Sequence, residues 1–114
     1  MIGSSLKILQ VNLNKSSEAT ESALQIAVEQ KVDLIIVQEP WLTGPHEPPD
    51  YSNTRSTLHQ GFTQILPHLP NKQLRPRTLV YVSRSFSPLV SLATSSPDDP
   101  DLLIVDITEG NSKM

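Results

Sequence analysis

The sequence predicts a mixed α/β fold that opens with a β-α-β unit. Two apolar runs rich in leucine and β-branched residues, at 6–12 and 32–38, are separated by a segment of helical length and pattern. Strands joined by a helical crossover are parallel, so both strands are expected to end at the same edge of a sheet. Further apolar runs follow without a second convincing helix, which favours a mixed sheet.

The first strand and the helix have clear local signals. Residues 6–12 carry apolar side chains on both faces, which predicts a place in the interior of a parallel sheet. Ser16 or Ser17 is expected to cap the helix, and Lys31 suits the negative end of its dipole. Small and apolar residues recur every three or four positions and form the expected packing face: Thr20, Ala23, Leu24, Ala27 and Val28.

The middle of the chain alternates between strands and proline-rich loops. Residues 32–38 form the clearest strand, and the prolines of 40–53 predict an irregular loop after it. Residues 60–66 are expected to form an edge strand or a bulge, because Gly61 and Pro67 limit regular pairing.

Three more strands are expected towards the end of the sequence. Alternating β-formers predict a strand at 78–83, followed by a short strand within 88–94 and an apolar strand at 102–107. With one helix and four to six strands, at least one face of the sheet is expected to lack a covering layer.

Length and composition restrict the class of protein. At 114 residues, with 37% hydrophobic residues, the chain is long enough for one small domain with a thin aliphatic core. The net charge of −3 gives no overall attraction to nucleic acid. The absence of cysteine excludes disulfides and thiolate zinc sites. Because no signal-peptide core or membrane-spanning run is present, we expect a soluble intracellular protein without membrane contact.

Two polar residues mark the ends of the two parallel strands. Asn12 closes the first strand, and Glu39 follows the second. Ligands of open α/β sheets bind at the carboxyl ends of the strands, so an amide oxygen and a carboxylate are expected to meet there. Each residue also has an ordinary interpretation, Asn12 as a turn former and Glu39 as a solvent-facing carboxylate.

The same two segments carry a family resemblance. The pattern LQVNLNKS at 9–16, followed by a helix and by DLIIVQEPW at 33–41, resembles the opening of the endonuclease/exonuclease/phosphatase superfamily. It is similar in particular to the apurinic-type endonuclease domain that precedes the reverse transcriptase of non-LTR retrotransposons. Residues 75–77, which lead into the strand at Tyr81, and residues 101–107 are similar to the middle of that domain.

The resemblance implies a fold and a chemistry. The fold is a four-layer sandwich of two mixed sheets between helices, and the chemistry is hydrolysis of phosphodiester bonds with a divalent metal. Glu39 is the implied metal-binding carboxylate, and Asn12 is an implied amide that binds the metal or orients a phosphate. The implied cofactor is Mg²⁺ or Mn²⁺, the implied partner is DNA, and a nuclear location is a further implication. Mg²⁺ is commonly held by one or two carboxylates with water and substrate phosphate, which agrees with this pair.

The resemblance covers nearly all of the chain but only about the first half of the family's domain. The family's later motifs, an Asp-x-Asn and a terminal Asp-His pair, have no counterpart in this sequence. We therefore expect residues 1–114 to form a single N-terminal fragment that lacks the C-terminal half and is inactive or nearly so alone. Exposed strands such as 102–107 are expected to favour self-association.

Other interpretations stay open from the sequence. The chain is alternatively a small non-catalytic α/β module that binds a partner through an exposed sheet, or the product of a decayed element without a present function. Four cations of the later loops either follow a phosphate backbone or are simply solvated: Lys72, Arg75, Arg77 and Arg84. Three histidines are scattered in loops and are not expected to bind metal: His46, His59 and His68.

Overall fold

A mixed four-stranded sheet with one helix forms the centre of the fold. The computed structural model describes residues 6–43 and 50–108. Its elements, in chain order, are β1 (Ile8–Asn12), α1 (Ser17–Gln30), β2 (Leu34–Gln38), β3 (Phe62–Ile65), β4 (Thr78–Ser83), β5 (Val90–Leu92) and β6 (Val105–Ile107). The sheet has the order β1-β2-β4-β3, and β5 pairs with β6 in a separate antiparallel ribbon. The prediction of a mixed α/β fold is confirmed.

The chain opens with the β-α-β unit that the sequence predicts. β1 and β2 are parallel, and the other pairs of the four-stranded sheet are antiparallel. Ser16 caps α1, since its Oγ accepts the N–H of Ala19 at 3.0 Å. Lys31 ends the helix in a left-handed conformation, with φ 56°, and its N–H bonds to carbonyls of the last turn. The helix therefore begins and ends close to the predicted positions.

Alternation along β2 and β4 divides the buried side chains between two cores. One core lies between the sheet and α1, and its buried members from these strands and the helix are Ala23, Leu24, Ala27, Ile35, Val37, Leu79 and Tyr81. The other core lies between the sheet and the β5–β6 ribbon, and its buried members are Leu34, Val80, Val82 and Val90. Both central strands are thus covered on both faces.

Three expectations about burial are wrong. β1 is an edge strand rather than an interior strand, and its side chains alternate between exposed and half-buried, with Ile8 48% exposed. The second sheet face is not bare, because the β5–β6 ribbon packs on it through Val90 and Val105. Val28 is 48% exposed and does not belong to the packing face of α1.

The outer strands are shorter than the sequence suggests. β3 lies at the second edge of the sheet, as predicted for its segment. A 3₁₀ turn, Ser87–Leu89, precedes β5, and β6 begins only at Val105. Leu102, which precedes β6, and Ile107, on the ribbon, are both exposed, as expected for the last apolar run. The predicted loop after β2 has no regular structure where it is described, and residues 44–49 lie outside the described residues.

Candidate functional site

The carboxyl ends of β1 and β2 lie side by side, as a parallel crossover requires. Asn12 is in register with Gln38, the residue immediately before Glu39. Asn12 and Glu39 are both exposed, and both line one surface pocket. The structure therefore brings together the two residues that the sequence singles out.

The turn after β1 is tied to Glu39 through the backbone. Asn12 Oδ1 accepts the N–H of Asn14 at 2.9 Å. Asn14 and Lys15 both have left-handed backbones, with φ of 49° and 60°. The N–H of Lys15 then donates to the carbonyl of Glu39 at 2.8 Å. These bonds fix the position of the turn relative to the end of β2.

Glu39 has a backbone conformation that residues with a Cβ atom rarely adopt. Its φ is 51°, and this left-handed region costs on the order of 1 kcal/mol or more for a non-glycine residue. Its N–H donates to the carbonyl of Arg77 at 3.0 Å, while its carbonyl accepts from Lys15. The backbone is therefore held from two sides, and the side chain projects into solvent. Strained residues of this kind cluster at functional sites.

The pocket around Asn12 and Glu39 has a volume of about 300 Å³. Its other lining residues come from the end of β2, the start of β4 and the turn before β6: Gln38, Arg77, Thr78 and Asp101. Thr78 Oγ1 donates to the carbonyl of Val37 at 3.0 Å, which ties the start of β4 to β2. Three of these residues, Gln38, Thr78 and Asp101, are not marked as site residues by the sequence. Thr78 is placed at the pocket by its antiparallel pairing with Gln38.

Arg77 and Asp101 form a two-point ion pair beside Glu39. Arg77 Nε lies 2.6 Å from Asp101 Oδ1, and Arg77 Nη2 donates to Asp101 Oδ2 at 3.1 Å. The two side chains are 59% and 52% exposed, so the pair contributes at most about 1 kcal/mol to stability. Its effect is local, because it adds one cation and one anion to the pocket.

The donors of the pocket fit a hard divalent cation that is held in part by water. An amide oxygen has two lone pairs, so Asn12 Oδ1 keeps one after accepting the N–H of Asn14. The ion pairs among the described residues do not include the Glu39 carboxylate. One carboxylate and one amide oxygen suit Mg²⁺, which keeps several water ligands. Within 6–43 and 50–108 no group of three histidines or carboxylates forms a complete metal cage.

The two histidines of the described residues have local contacts away from this pocket. His59 Nδ1 accepts the N–H of Gly61 at 2.9 Å, and its ring packs edge-on against Phe62 with centroids 5.4 Å apart. His68 forms an isolated β-bridge with Asp98. His46 lies outside the described residues.

Three of the four cations noted in the sequence do not line this pocket. Arg75 donates to the carbonyl of Pro40 at 2.9 Å, and Arg84 donates to the carbonyl of Gln60 at 2.6 Å. Lys72 lines a separate pocket beside the loop before β3. Of this group, Arg77 is the cation that lines the pocket of Glu39.

Comparisons with known proteins do not add a family to this description. No family model, curated protein or solved structure matches the chain. Among the residues that the structure describes, no helix combines the length and the apolar character needed to cross a membrane. Fold and site together define a mixed α/β protein with an oxygen-lined pocket at the carboxyl ends of two parallel strands.

Proposed function

We propose that this chain is the metal-binding part of a phosphodiesterase domain of the endonuclease/exonuclease/phosphatase type, similar to the endonucleases of non-LTR retrotransposons. The observation that carries the proposal is the shared pocket of Asn12 and Glu39. These are the two residues to which the resemblance assigns the metal site. Their separation by 26 intervening residues makes their meeting a consequence of the parallel crossover.

The layers of the fold give further support to this proposal. α1 covers one face of the mixed sheet, and an antiparallel ribbon covers the other face. In a four-layer sandwich of two sheets between helices, the first three layers are a helix layer followed by two sheets, which is the order found in this fold. The β5–β6 ribbon would then belong to the second sheet.

In the proposed site, Glu39 and Asn12 would hold Mg²⁺ through a carboxylate oxygen and an amide oxygen. Held there, Mg²⁺ would supply Lewis-acid polarisation of a phosphoryl oxygen of DNA. The backbone bonds of Glu39 to Lys15 and Arg77 fix the backbone position from which its side chain extends. The exposed position of the pocket at the sheet edge leaves room for a phosphate from a nucleic-acid backbone.

In the proposed function, binding of a metal ion and DNA is separable from cleavage of DNA. The sequence contains neither an Asp-x-Asn nor an Asp-His pair, and among the residues that the structure describes no histidine lines the pocket to act as a general base. General acid–base catalysis and transition-state donors provide most of the acceleration in such hydrolysis. We therefore expect these 114 residues alone to bind a divalent cation and DNA but to nick DNA very slowly or not at all.

A titration with Mn²⁺, followed by electron paramagnetic resonance of the free ion, tests the metal site. We expect the unmodified chain to bind one ion in the pocket and Glu39→Gln to lose about tenfold or more in affinity, since even the outer-shell partners of metal ligands are worth about 10–100-fold in metal affinity. Glu21→Gln is the matched control, because Glu21 is an exposed glutamate on α1. Equal Mn²⁺ affinity of Glu39→Gln and the unmodified chain contradicts the proposal.

The exposed edge of β1 favours a second candidate function, a non-catalytic module that binds a partner through its sheet. In the described sheet β1 pairs with β2 alone, and Ile8 is 48% exposed. An edge strand of this kind can accept a further strand. The Mn²⁺ titration distinguishes the two functions, because strand addition at β1 requires no cation at Glu39.

A further inference from the structure

The backbone of Arg77 is hydrogen-bonded on both sides to chain segments that line the pocket. Its carbonyl accepts the N–H of Glu39 at 3.0 Å, and its own N–H donates to the carbonyl of Pro100 at 2.7 Å. The chain segments of Glu39 and Asp101 therefore lie on the two sides of Arg77. The side chains of Glu39 and Arg77 line the same pocket.

The contact between Arg77 and Asp101 has the geometry of a phosphate contact. Two nitrogens of the guanidinium meet two oxygens of one carboxylate, at 2.6 and 3.1 Å. The same planar fork binds two oxygens of a phosphate in the same way. Because both side chains are more than half exposed, this ion pair is weak enough to exchange for a stronger partner.

We propose that Arg77 is the phosphate-binding residue of the pocket and that Asp101 occupies its guanidinium until a phosphodiester of DNA replaces it. This inference rests on the proposed function and identifies the ligand of the same pocket. Within 6–43 and 50–108, the charged side chains that line the pocket are Glu39, Asp101 and Arg77, which together carry one net negative charge. A divalent cation held by Glu39 and Asn12 would reverse that sign and so favour a phosphate at Arg77.

A purely structural role for the ion pair gives a different expectation. If Arg77 and Asp101 only fastened the turn before β6 to the sheet, removal of either partner would have a similar effect. Competition predicts effects of opposite sign, since loss of Arg77 removes the phosphate ligand and loss of Asp101 removes its competitor. The backbone bond from Arg77 to Pro100 keeps the turn attached in both variants.

The chain provides matched controls for both substitutions. Arg84 lies at the other end of β4, roughly 20 Å from Arg77 by the rise of an extended strand, and it is an exposed arginine. Asp106 is an exposed aspartate on β6 that does not line the pocket. Arg84→Gln and Asp106→Asn therefore reproduce the charge changes of Arg77→Gln and Asp101→Asn away from the pocket.

The experiment measures binding of a fluorescein-labelled DNA duplex by anisotropy, in Mg²⁺ and at several salt concentrations. We expect Arg77→Gln to bind about tenfold more weakly than Arg84→Gln, the effect of one charge-assisted contact. The slope of log affinity against log salt should fall by about 0.9, as for one lost phosphate contact. Asp101→Asn should bind about threefold more tightly than Asp106→Asn, since an exposed ion pair shifts a binding equilibrium only a few-fold.

Several outcomes overturn the inference. It fails if Arg77→Gln matches Arg84→Gln, if Asp101→Asn weakens binding, or if the unmodified chain does not bind the duplex. Arg77→Lys, which keeps the charge but not the fork, should give an intermediate affinity and serves if Arg77→Gln does not fold. The Mn²⁺ titration of Glu39→Gln separates the two proposals. If Mn²⁺ binding depends on Glu39 but DNA binding is unchanged by substitution of Arg77, this inference is rejected and the proposed metal site is retained.

Discussion

Replacing Tyr81 by phenylalanine removes one hydroxyl from the middle of β4 without opening a cavity. Tyr81 is 1% exposed and packs edge-on against Phe62, with ring centroids 6.2 Å apart. Its hydroxyl donates to the carbonyl of Thr57 at 2.8 Å. The same carbonyl accepts Nε2 of Gln64 at 3.2 Å, so it keeps a partner after the substitution.

The expected cost follows from these contacts. Because no buried acceptor is left without a partner, Tyr81→Phe should lower the free energy of unfolding by the net value of one hydrogen bond, about 0.5–1.5 kcal/mol. Burial raises the pKa of Tyr81 above its usual 10.0, so the ionised form favours the unfolded chain. Stability from the protonated hydroxyl is complete below about pH 10 and is lost as the pH rises through the folded-state pKa.

Urea denaturation followed by far-UV circular dichroism, at about pH 7 and about pH 10.5, measures both effects. The unmodified chain should be more stable than Tyr81→Phe at neutral pH, and this difference should shrink at alkaline pH because phenylalanine does not ionise. Tyr51→Phe, a substitution in the loop before β3, is the control. A difference that stays constant with pH, or no difference at neutral pH, refutes the reasoning.

Three further substitutions test the elements that position the pocket, each by the same urea denaturation. Ser16→Ala should destabilise the chain by about 1 kcal/mol through loss of the N-cap of α1, whereas Ser17→Ala should change little. Lys31→Gly should stabilise it by about 0.5–1 kcal/mol, because glycine adopts the left-handed C-cap without strain. Leu79→Ala, at a fully buried position of β4, should cost about 2–5 kcal/mol.

The elements with local signals could be predicted from the sequence. α1 follows from the Ser16 cap and from the spacing of Ala23 and Ala27, both of which are local properties of the helix. β2 follows from its continuous apolar run, although the strand begins at Leu34 because Val32 and the next residue form the connection from the helix.

The arrangement of the strands could not be predicted in the same way. An apolar run such as that of β1 suits an interior strand or an edge strand, and only the pairing with β2 distinguishes them. The ribbon that covers the second sheet face joins Val90 to Ile107, which are far apart in sequence and share no period that identifies them as partners. The packing of the β5–β6 ribbon on the second face of the sheet was therefore not predictable from local sequence patterns.

The residues of the candidate site also differ in whether the sequence predicts their position. Asn12 and Glu39 could be predicted to meet, because a parallel crossover places both strand ends at one edge of the sheet. Arg77 and Asp101 could not, because their position depends on the antiparallel pairing of β4 with β2 and on the turn at Pro100. Those contacts are non-local. From the sequence, Arg77 is one of four loop cations that either follow a phosphate backbone or are solvated, and Asp101 has no signal of its own.

The most direct test of the central claim is to locate the bound cation by nuclear magnetic resonance. Mn²⁺ broadens the amide signals nearest to it, so spectra of the ¹⁵N-labelled chain identify the site. If Asn12 and Glu39 share the ion, the signals of these residues and of Arg77 should broaden first, and Glu39→Gln should abolish this effect. Broadening that begins at the opposite end of the sheet, near Arg84, or that has no preferred position would contradict the account.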